Sequence, residues 1–235
     1  MKDSFSTASE IAKSGKYLKK NIIASSGFSS AYLFYRIARP LLKLNYKIFK
    51  WRNPRTPWTS QAAVAIFRAV LNKQMTGLEY GSGNSTLFFA NHLGHLTSIE
   101  HDRAWHAKVS SLLKESGLKN VDYRLIVPGV IKPLDYSLVN GYDLEENEFS
   151  VKSEYADYFS FARTFPDSHF DFILVDGRAR VECTLNALPK LKTGGIFVLD
   201  NSDRKRYAPI FKVLTGWPQV TTTTGLFDTT FWFKP

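Results

Sequence analysis

An acidic residue stands two places before a glycine turn in this chain, and the combination suits a ligand that carries an ammonium group. Glu79 precedes Gly81 and Gly83. The two glycines let the backbone bend tightly after a strand and approach a ligand closely. A dinucleotide loop instead places a pyrophosphate at a helix N-terminus, where a nearby carboxylate would be unfavourable. Thr86 also replaces the third glycine of the dinucleotide pattern, so NAD and FAD are disfavoured.

A second acid ends the next short apolar segment. Residues 96–100 are predicted to form a strand that ends in Glu100, 19 residues after Gly81. A carboxylate at that position can accept hydrogen bonds from both hydroxyls of a ribose. The two acids together therefore predict a nucleoside that also carries a positive charge.

Two further apolar runs end in acids. Residues 170–177 end in Asp176 and Gly177, and residues 194–201 end in Asp200 and Asn201. Continuous apolar runs of this length are typical of strands that are buried on both faces of a parallel sheet. Helices are expected over residues 60–71 and 102–116, a third strand over 121–127, and a closing hairpin over 220–224 and 229–233.

With these residues the chain resembles the class I S-adenosylmethionine-dependent methyltransferases, over about residues 58–235. The resemblance implies a doubly wound, Rossmann-like α/β fold with a seven-stranded sheet and a C-terminal antiparallel hairpin. It also implies S-adenosylmethionine as the cofactor. His101, beside the ribose acid, is either a cofactor contact or an ordinary surface histidine. The implied cofactor-binding residues are Glu79, Gly81, Ser82, Gly83, Asn84, Ser85, Glu100 and His101.

The acids of the later strands resemble the metal site of catechol O-methyltransferase and its relatives. In that family an acid ends the fourth strand and an Asp-Asn pair ends the fifth, which corresponds here to Asp176, Asp200 and Asn201. Such oxygen ligands suit Mg²⁺ or another divalent cation, which would help a hydroxyl acceptor to lose its proton. In the alternative, Asp200 and Asn201 only cap the following helix, and Asp176 orients the cofactor-side loop.

Arginines follow both of these acids, unlike in a catechol site. Arg178, Arg180, Arg204 and Arg206 are expected near the carboxyl edge of the sheet, where open α/β folds bind ligands. Guanidinium groups match carboxylate or phosphate, so the expected acceptor is acidic: a small molecule or a glycolipid-type headgroup. The predicted catalytic residues are Asp176, Asp200 and Arg178, and the predicted reaction is O-methylation.

The N-terminal part carries the whole excess of positive charge. Residues 1–57 contain twelve Lys or Arg and two acids, and we treat them as a basic helical extension and linker ahead of a domain at 58–235. Basic and apolar residues alternate at helical spacing over residues 28–50, interrupted by Pro40. This segment either lies on an anionic membrane or packs across the domain. Nothing in it is typical of a groove-reading module, which disfavours nucleic acid.

Other functional classes stay open at this point. An RNA methyltransferase that modifies bases usually has an Asn/Asp-Pro-Pro-aromatic turn where this chain has Asp176-Gly177-Arg178. A non-catalytic interaction or membrane-docking module with this fold is the third alternative. The single Cys183 excludes an internal disulfide and is compatible with the cytoplasm. The segment 128–155 has no clear periodicity, and the oligomeric state and the adenine contacts are not predicted.

Overall fold

The computed structural model describes residues 3–14, 30–129, 142 and 153–235. Most of the segment 128–155, in which the sequence predicts no particular adenine contacts, lies outside these described residues. Short 3₁₀ turns cover Ser153–Tyr155, Phe161–Thr164, Leu188–Lys190 and Lys205–Tyr207. The helices are α1 (Ser4–Ser14), α2 (Ser30–Arg52), α3 (Gln61–Val70), α4 (Asn84–His92), α5 (Arg103–Ser116), α6 (Ala156–Ser160), α7 (Arg180–Ala187) and α8 (Ala208–Val213). The strands are β1 (Thr76–Tyr80), β2 (His95–Glu100), β3 (Val121–Leu125), β4 (Phe170–Val175), β5 (Leu191–Asp200), β6 (Gln219–Thr223) and β7 (Asp228–Phe233).

The seven strands form one sheet in the order β3-β2-β1-β4-β5-β7-β6. The first five strands run parallel, whereas β7 pairs antiparallel with both β5 and β6. This order reverses between β1 and β4, and ligands bind beside such a reversal at the carboxyl ends of the strands. The predicted doubly wound fold with a C-terminal hairpin is confirmed.

Apolar side chains cover both faces of the sheet. On one face Phe67 of α3 packs edge-on against Phe89 and Phe172, with ring centroids 5.0 and 5.9 Å apart. On the other face Phe197 and Trp232 are buried beneath α7 and α8. Because both faces of the sheet are covered, five of the six residues of β4 are buried.

The first two helices lie on the domain in different ways. Ala8 of α1 is fully buried, and Phe5 packs edge-on against Phe233, so α1 extends the core of the domain. Helix α2 is one continuous helix with Pro40 inside it, although Pro40 made two shorter helices equally plausible from the sequence. Pro40 is exposed, so the carbonyl group that loses its hydrogen bond lies at the solvent side of α2.

Candidate functional site

The turn after β1 requires glycine at one position. Gly81 has a φ of +91°, a region that L side chains rarely adopt. A Cβ on Gly81 would also lie 2.7 Å from the backbone nitrogen of Gly177, which follows β4. The β1 and β4 turns therefore approach each other with their backbones almost in contact, and they form the floor of a cleft.

Glu79 lies beneath this turn. Its side chain is fully buried, and its Oε2 accepts hydrogen bonds of 2.6 Å from both Thr86 Oγ1 and Ser98 Oγ. Thr86 Oγ1 in turn accepts from the Gly83 amide at 3.0 Å. Burial raises the pKa of Glu79 to about 7, against the opposing effect of the hydroxyl donors. The Oε1 atom is buried without a hydrogen-bond partner, and such an atom suits a further donor.

Glu100 lies at the cleft surface at the end of β2. Its Oε2 accepts from the Ser82 amide at 3.1 Å and from Ser82 Oγ at 2.8 Å, and its Oε1 accepts from the amides of His101 and Asp102. Burial alone would raise the pKa of Glu100, but hydrogen bonds from the His101 side chain, Asp102 and Ser82 outweigh it and lower the pKa to about 2. Glu100 is therefore ionised over the whole physiological range.

The opposite wall contains a carboxylate pair and a buried arginine. Asp176 is 36% exposed, and its Oδ1 accepts a hydrogen bond from Nη2 of Arg180 at 2.8 Å. The Arg180 guanidinium also donates to the backbone carbonyl groups of Asp176, Gly177 and Asp200, so it bridges the ends of β4 and β5. Asp200 is buried, and its Oδ1 accepts from Thr229 Oγ1 at 2.7 Å.

The pKa values on this wall are raised. Burial raises the pKa of Asp176, although the Arg180 charge and a hydrogen bond with Asp200 act in the opposite direction. Burial and the charge of Asp176 raise the pKa of Asp200 well above its usual range. Two carboxyl groups so close to each other share one proton more readily than they both ionise.

Glu100, Asp176 and Arg180 face one cavity of about 750 Å³, whereas Glu79 and Asp200 lie behind its lining. Its volume falls in the range of small-molecule sites. The predicted Gly83, Asn84 and Ser85 begin α4 and do not line it. The cavity is lined by Gly81, Ser82, Glu100, His101, Asp102, Ala104, Trp105, Lys108, Asp176, Gly177, Arg178, Arg180 and Arg204.

Comparison with known proteins decides the family. A family model described as a methyltransferase domain matches residues 78–202, which contain the glycine turn and all four acids. The chain belongs to this methyltransferase family. No curated protein sequence matches it. The family and the site together make it an S-adenosylmethionine-dependent methyltransferase, as the sequence predicted.

Solved structures share the fold. A methyltransferase-like protein from Silicibacter pomeroyi is 24% identical, with a TM-score of 0.54 over 77% of this chain and 89% of that one. A candidate caffeoyl-CoA O-methyltransferase from Staphylococcus aureus is 14% identical, with a TM-score of 0.50 over 88% and 93%. A precorrin 8w decarboxylase from Methanobacterium thermoautotrophicum is also 14% identical, with a TM-score of 0.50 over 74% and 88%. The fold thus occurs in proteins with different described reactions.

The methyltransferase has groups that fit its cofactor. Gly81 lines the cavity with backbone alone, the Glu100 carboxylate faces the cavity, and Glu79 has a buried oxygen without a partner. The sequence predicted Glu79 as a contact of the ammonium group and Glu100 as a contact of the ribose hydroxyls. The structure places Glu100 in the cavity wall but Glu79 under the glycine turn, bonded to Thr86 of α4. Direct contact of Glu79 with the cofactor's ammonium group stays a prediction.

Several groups of this site were not singled out from the sequence. Trp105 of α5 donates from Nε1 to the carbonyl oxygen of Ser82 at 2.8 Å, which fixes the turn from outside. Tyr123 of β3 forms a 2.7 Å hydrogen bond with Ser82 Oγ. The sequence predicted Arg180 only as one of four arginines near the carboxyl edge of the sheet. No local sequence pattern indicates that Arg180 is buried against the strand ends. The Asp-Gly pair at 176–177 was a signal for close approach, because a Cβ on Gly177 would collide with the buried Tyr158 hydroxyl.

The predicted metal ligands Asp176 and Asp200 already bond protein groups in this arrangement, and metal binding by them with Asn201 stays a prediction. The Asp176 carboxylate already bonds the Arg180 guanidinium, and the inner oxygen of Asp200 bonds Thr229. Asn201 has a φ of +50° and continues the turn after β5. Among the residues that the structure describes, no three His, Cys, Asp or Glu side chains are grouped to hold a metal ion.

Proposed function

We propose that this methyltransferase modifies a hydroxyl oxygen of an acceptor that carries an anionic group. The observation that carries the proposal is a cavity with two unlike walls. One wall is built from the β1 turn and Glu100, and the other from Asp176 and arginines. Bound S-adenosylmethionine supplies a methyl group on a positively charged sulfur. The chain's own residues must hold the acceptor and remove its proton.

Arginine side chains at the second wall support an anionic acceptor. Arg178 and Arg204 are exposed and line the cavity. Neither forms an ion pair within the part of the chain that the structure describes. A smaller cavity of about 140 Å³ adjoins the first and shares Arg178, Arg180 and Arg204, with Arg206 and one acid, the buried Glu182, among its other lining residues. Guanidinium forks around a recess of this size match a carboxylate or phosphate group.

Asp176 is the residue that we assign as the general base. A hydroxyl group attacks a methyl carbon well only when its proton has somewhere to go. Asp176 lines the cavity, is partly exposed and has a raised pKa, and the buried Asp200 beside it can share the proton. These properties favour O-methylation over transfer to an amine that is already deprotonated.

Arg180 supplies a fixed positive charge at the position where the catechol-type resemblance predicted a metal. Its guanidinium holds the Asp176 carboxylate and the end of β5 at the same time. A divalent cation would have to displace this guanidinium from Asp176. We therefore propose that the reaction proceeds without Mg²⁺.

Transfer of a labelled methyl group tests the proposal. Purified protein is incubated with S-[methyl-³H]adenosylmethionine and cell extract, and the products are separated by anion exchange. We expect label in the anionic fraction, a methoxy carbon by NMR, and the same rate with EDTA. Label only in uncharged products, a methyl group on nitrogen, or EDTA inhibition reversed by Mg²⁺ would each contradict one part of the proposal.

The Asp176→Asn variant separates chemistry from binding in the same assay. We expect transfer to fall by about 100-fold or more, with unchanged affinity for S-adenosylhomocysteine. The matched control is Asp167→Asn. Asp167 precedes β4 at the edge of the sheet away from the cavity, is exposed, and forms an ion pair with Lys190. Equal rates in both variants would remove Asp176 from the reaction.

A further inference from the structure

Helix α2 packs on the domain with one face. Tyr46 is half-buried and meets the Phe227 ring edge-on at 5.3 Å, and Leu42 contacts Gly225 in the same β6–β7 turn. Phe49 packs against the core beside α1. These three residues recur at helical spacing, so they define the inner face of α2.

The outer face of α2 is apolar and exposed. Its side chains are between 40% and 79% accessible, and their spacing of three and four residues places them in one stripe along the helix. We call this set the outer stripe. Contiguous exposed apolar surface of this kind marks an interaction site rather than ordinary surface. The outer stripe consists of Leu33, Phe34, Ile37, Leu41, Leu44, Ile48 and Trp51.

The charges of α2 are all positive. Ser30–Arg52 contains six Lys or Arg residues and no acid. Arg36, Lys43 and Lys47 follow one edge of the outer stripe at helical spacing, and the basic side chains therefore flank the apolar surface. This arrangement is typical of helices that lie in the plane of an anionic membrane surface.

We propose that the outer stripe of α2 inserts into the interface of an anionic lipid bilayer, with its lysines and arginines at the headgroups. None of the helices in the described ranges is long and apolar enough to cross a membrane, so α2 would lie parallel to the surface. A second copy of the chain is disfavoured as the occupant, because two such helices would bring twelve positive charges together without an acid. Nucleic acid would leave the apolar stripe in water.

The position of α2 connects this surface with the acceptor side of the cavity. Phe227, which Tyr46 contacts, lies two residues before Thr229, the hydrogen-bond donor to Asp200. Thr229 pairs with Asp200 directly after the β6–β7 turn that Tyr46 contacts, and burial together with the charges of Asp200 and Asp176 raises the pKa of Tyr46. A membrane that binds the outer face of α2 would therefore lie beside the methyl-transfer site.

Vesicle flotation tests the proposal with the full chain. We expect the protein to float with vesicles that contain phosphatidylglycerol, to float much less with pure phosphatidylcholine, and to lose binding as salt is raised. Lys43→Glu/Lys47→Glu should weaken binding by about 30-fold or more, since each juxtamembrane lysine contributes roughly fivefold. The matched control, Lys114→Glu/Lys119→Glu, makes the same charge change at exposed positions in and after α5 and should bind like the wild type.

The apolar part of the proposal has its own variant. Leu41→Asp/Leu44→Asp should abolish flotation while the affinity for S-adenosylhomocysteine stays unchanged, which also shows that the variant is folded. In the wild type, lipids brominated on the acyl chains should quench Trp fluorescence, and Trp51→Phe should remove most of this quenching. That measurement stands even if the double variant fails to fold.

Three outcomes would overturn the proposal. The first is equal binding to neutral and anionic vesicles, and the second is absence of binding at low salt. The third is a dimer in sedimentation that Leu41→Asp/Leu44→Asp converts to a monomer, without vesicle binding by either form. The last result would assign the outer stripe to a second copy of the chain.

Discussion

The two walls of the cavity use carboxylates in opposite ways. At the end of β2, backbone amides and a hydroxyl surround Glu100 and lower its pKa to about 2, whereas burial raises the pKa of Glu79 beneath the β1 turn to about 7. At the ends of β4 and β5, the partly exposed Asp176 and the buried Asp200 lie together, and the pKa values of both rise. An acid of the first kind stays charged and can hold a ligand. An acid of the second kind can take up and release a proton, and we propose that carboxylates serve binding on one wall and chemistry on the other.

The largest effect is expected where the two walls touch. Gly81→Ala forces an L side chain into a positive φ and pushes a Cβ against the backbone of Gly177. We expect S-adenosylhomocysteine binding to become undetectable by calorimetry. Gly117→Ala is the matched control, because Gly117 also has a positive φ, +68°, with nothing within 4 Å of the added Cβ. It should cost about 1 kcal/mol of stability without loss of cofactor binding. Equal cofactor affinity in the two variants would show that the approach of the turns is not needed.

The next largest effect concerns the pH dependence of the rate, which reports the protonation of the Asp176 and Asp200 pair. The rate of the wild type should rise with pH as Asp176 loses its proton, and its raised pKa moves this rise to a higher pH than an ordinary aspartate would show. Thr229→Val removes the hydrogen bond that stabilises the charge on Asp200. We expect this variant to shift the pH–rate profile to higher pH, as measured with saturating substrates. An unchanged profile would exclude the carboxyl pair as the titrating unit.

A smaller effect is expected for the arginines of the acceptor wall. Arg178→Ala should raise the acceptor KM by about 10-fold to 100-fold, the usual range for loss of a charged hydrogen bond, while kcat changes less. Arg68→Ala, at an exposed position on α3, is the control. A fall in kcat alone, with the same KM, would mean that Arg178 acts on the reacting group and not on the acceptor's anionic group.

The smallest effect concerns stability in acid. The folded-state pKa of Glu100, about 2, lies below the ordinary value of 4.5. Ionised Glu100 therefore stabilises the fold above pH 4.5, and this contribution is lost as the pH falls towards 2. The Tm of the wild type should fall more steeply than that of Glu100→Gln between pH 5 and pH 2. Parallel curves would show that the hydrogen bonds of Glu100 do not favour its charged form.

The sequence predicted the strands and their terminal acids because each is a local pattern. The apolar run before Asp176 and the glycines around Ser82 report burial and turn geometry directly. It did not predict that Glu79 lies under the loop or that Arg180 bridges two strand ends, because those positions depend on which strands become neighbours. The sequence also did not predict which face of α2 the domain covers. Helical periodicity indicates two faces of a helix but does not assign either one to the domain.

Calorimetry with S-adenosylhomocysteine tests the division of labour between the walls most directly. The wild type, Glu100→Gln and Arg178→Ala are titrated under the same conditions. We expect Glu100→Gln to bind at least tenfold more weakly, because it removes the charge that faces the cavity, and Arg178→Ala to bind like the wild type. Weaker binding in Arg178→Ala with full affinity in Glu100→Gln would contradict the assignment of the two walls.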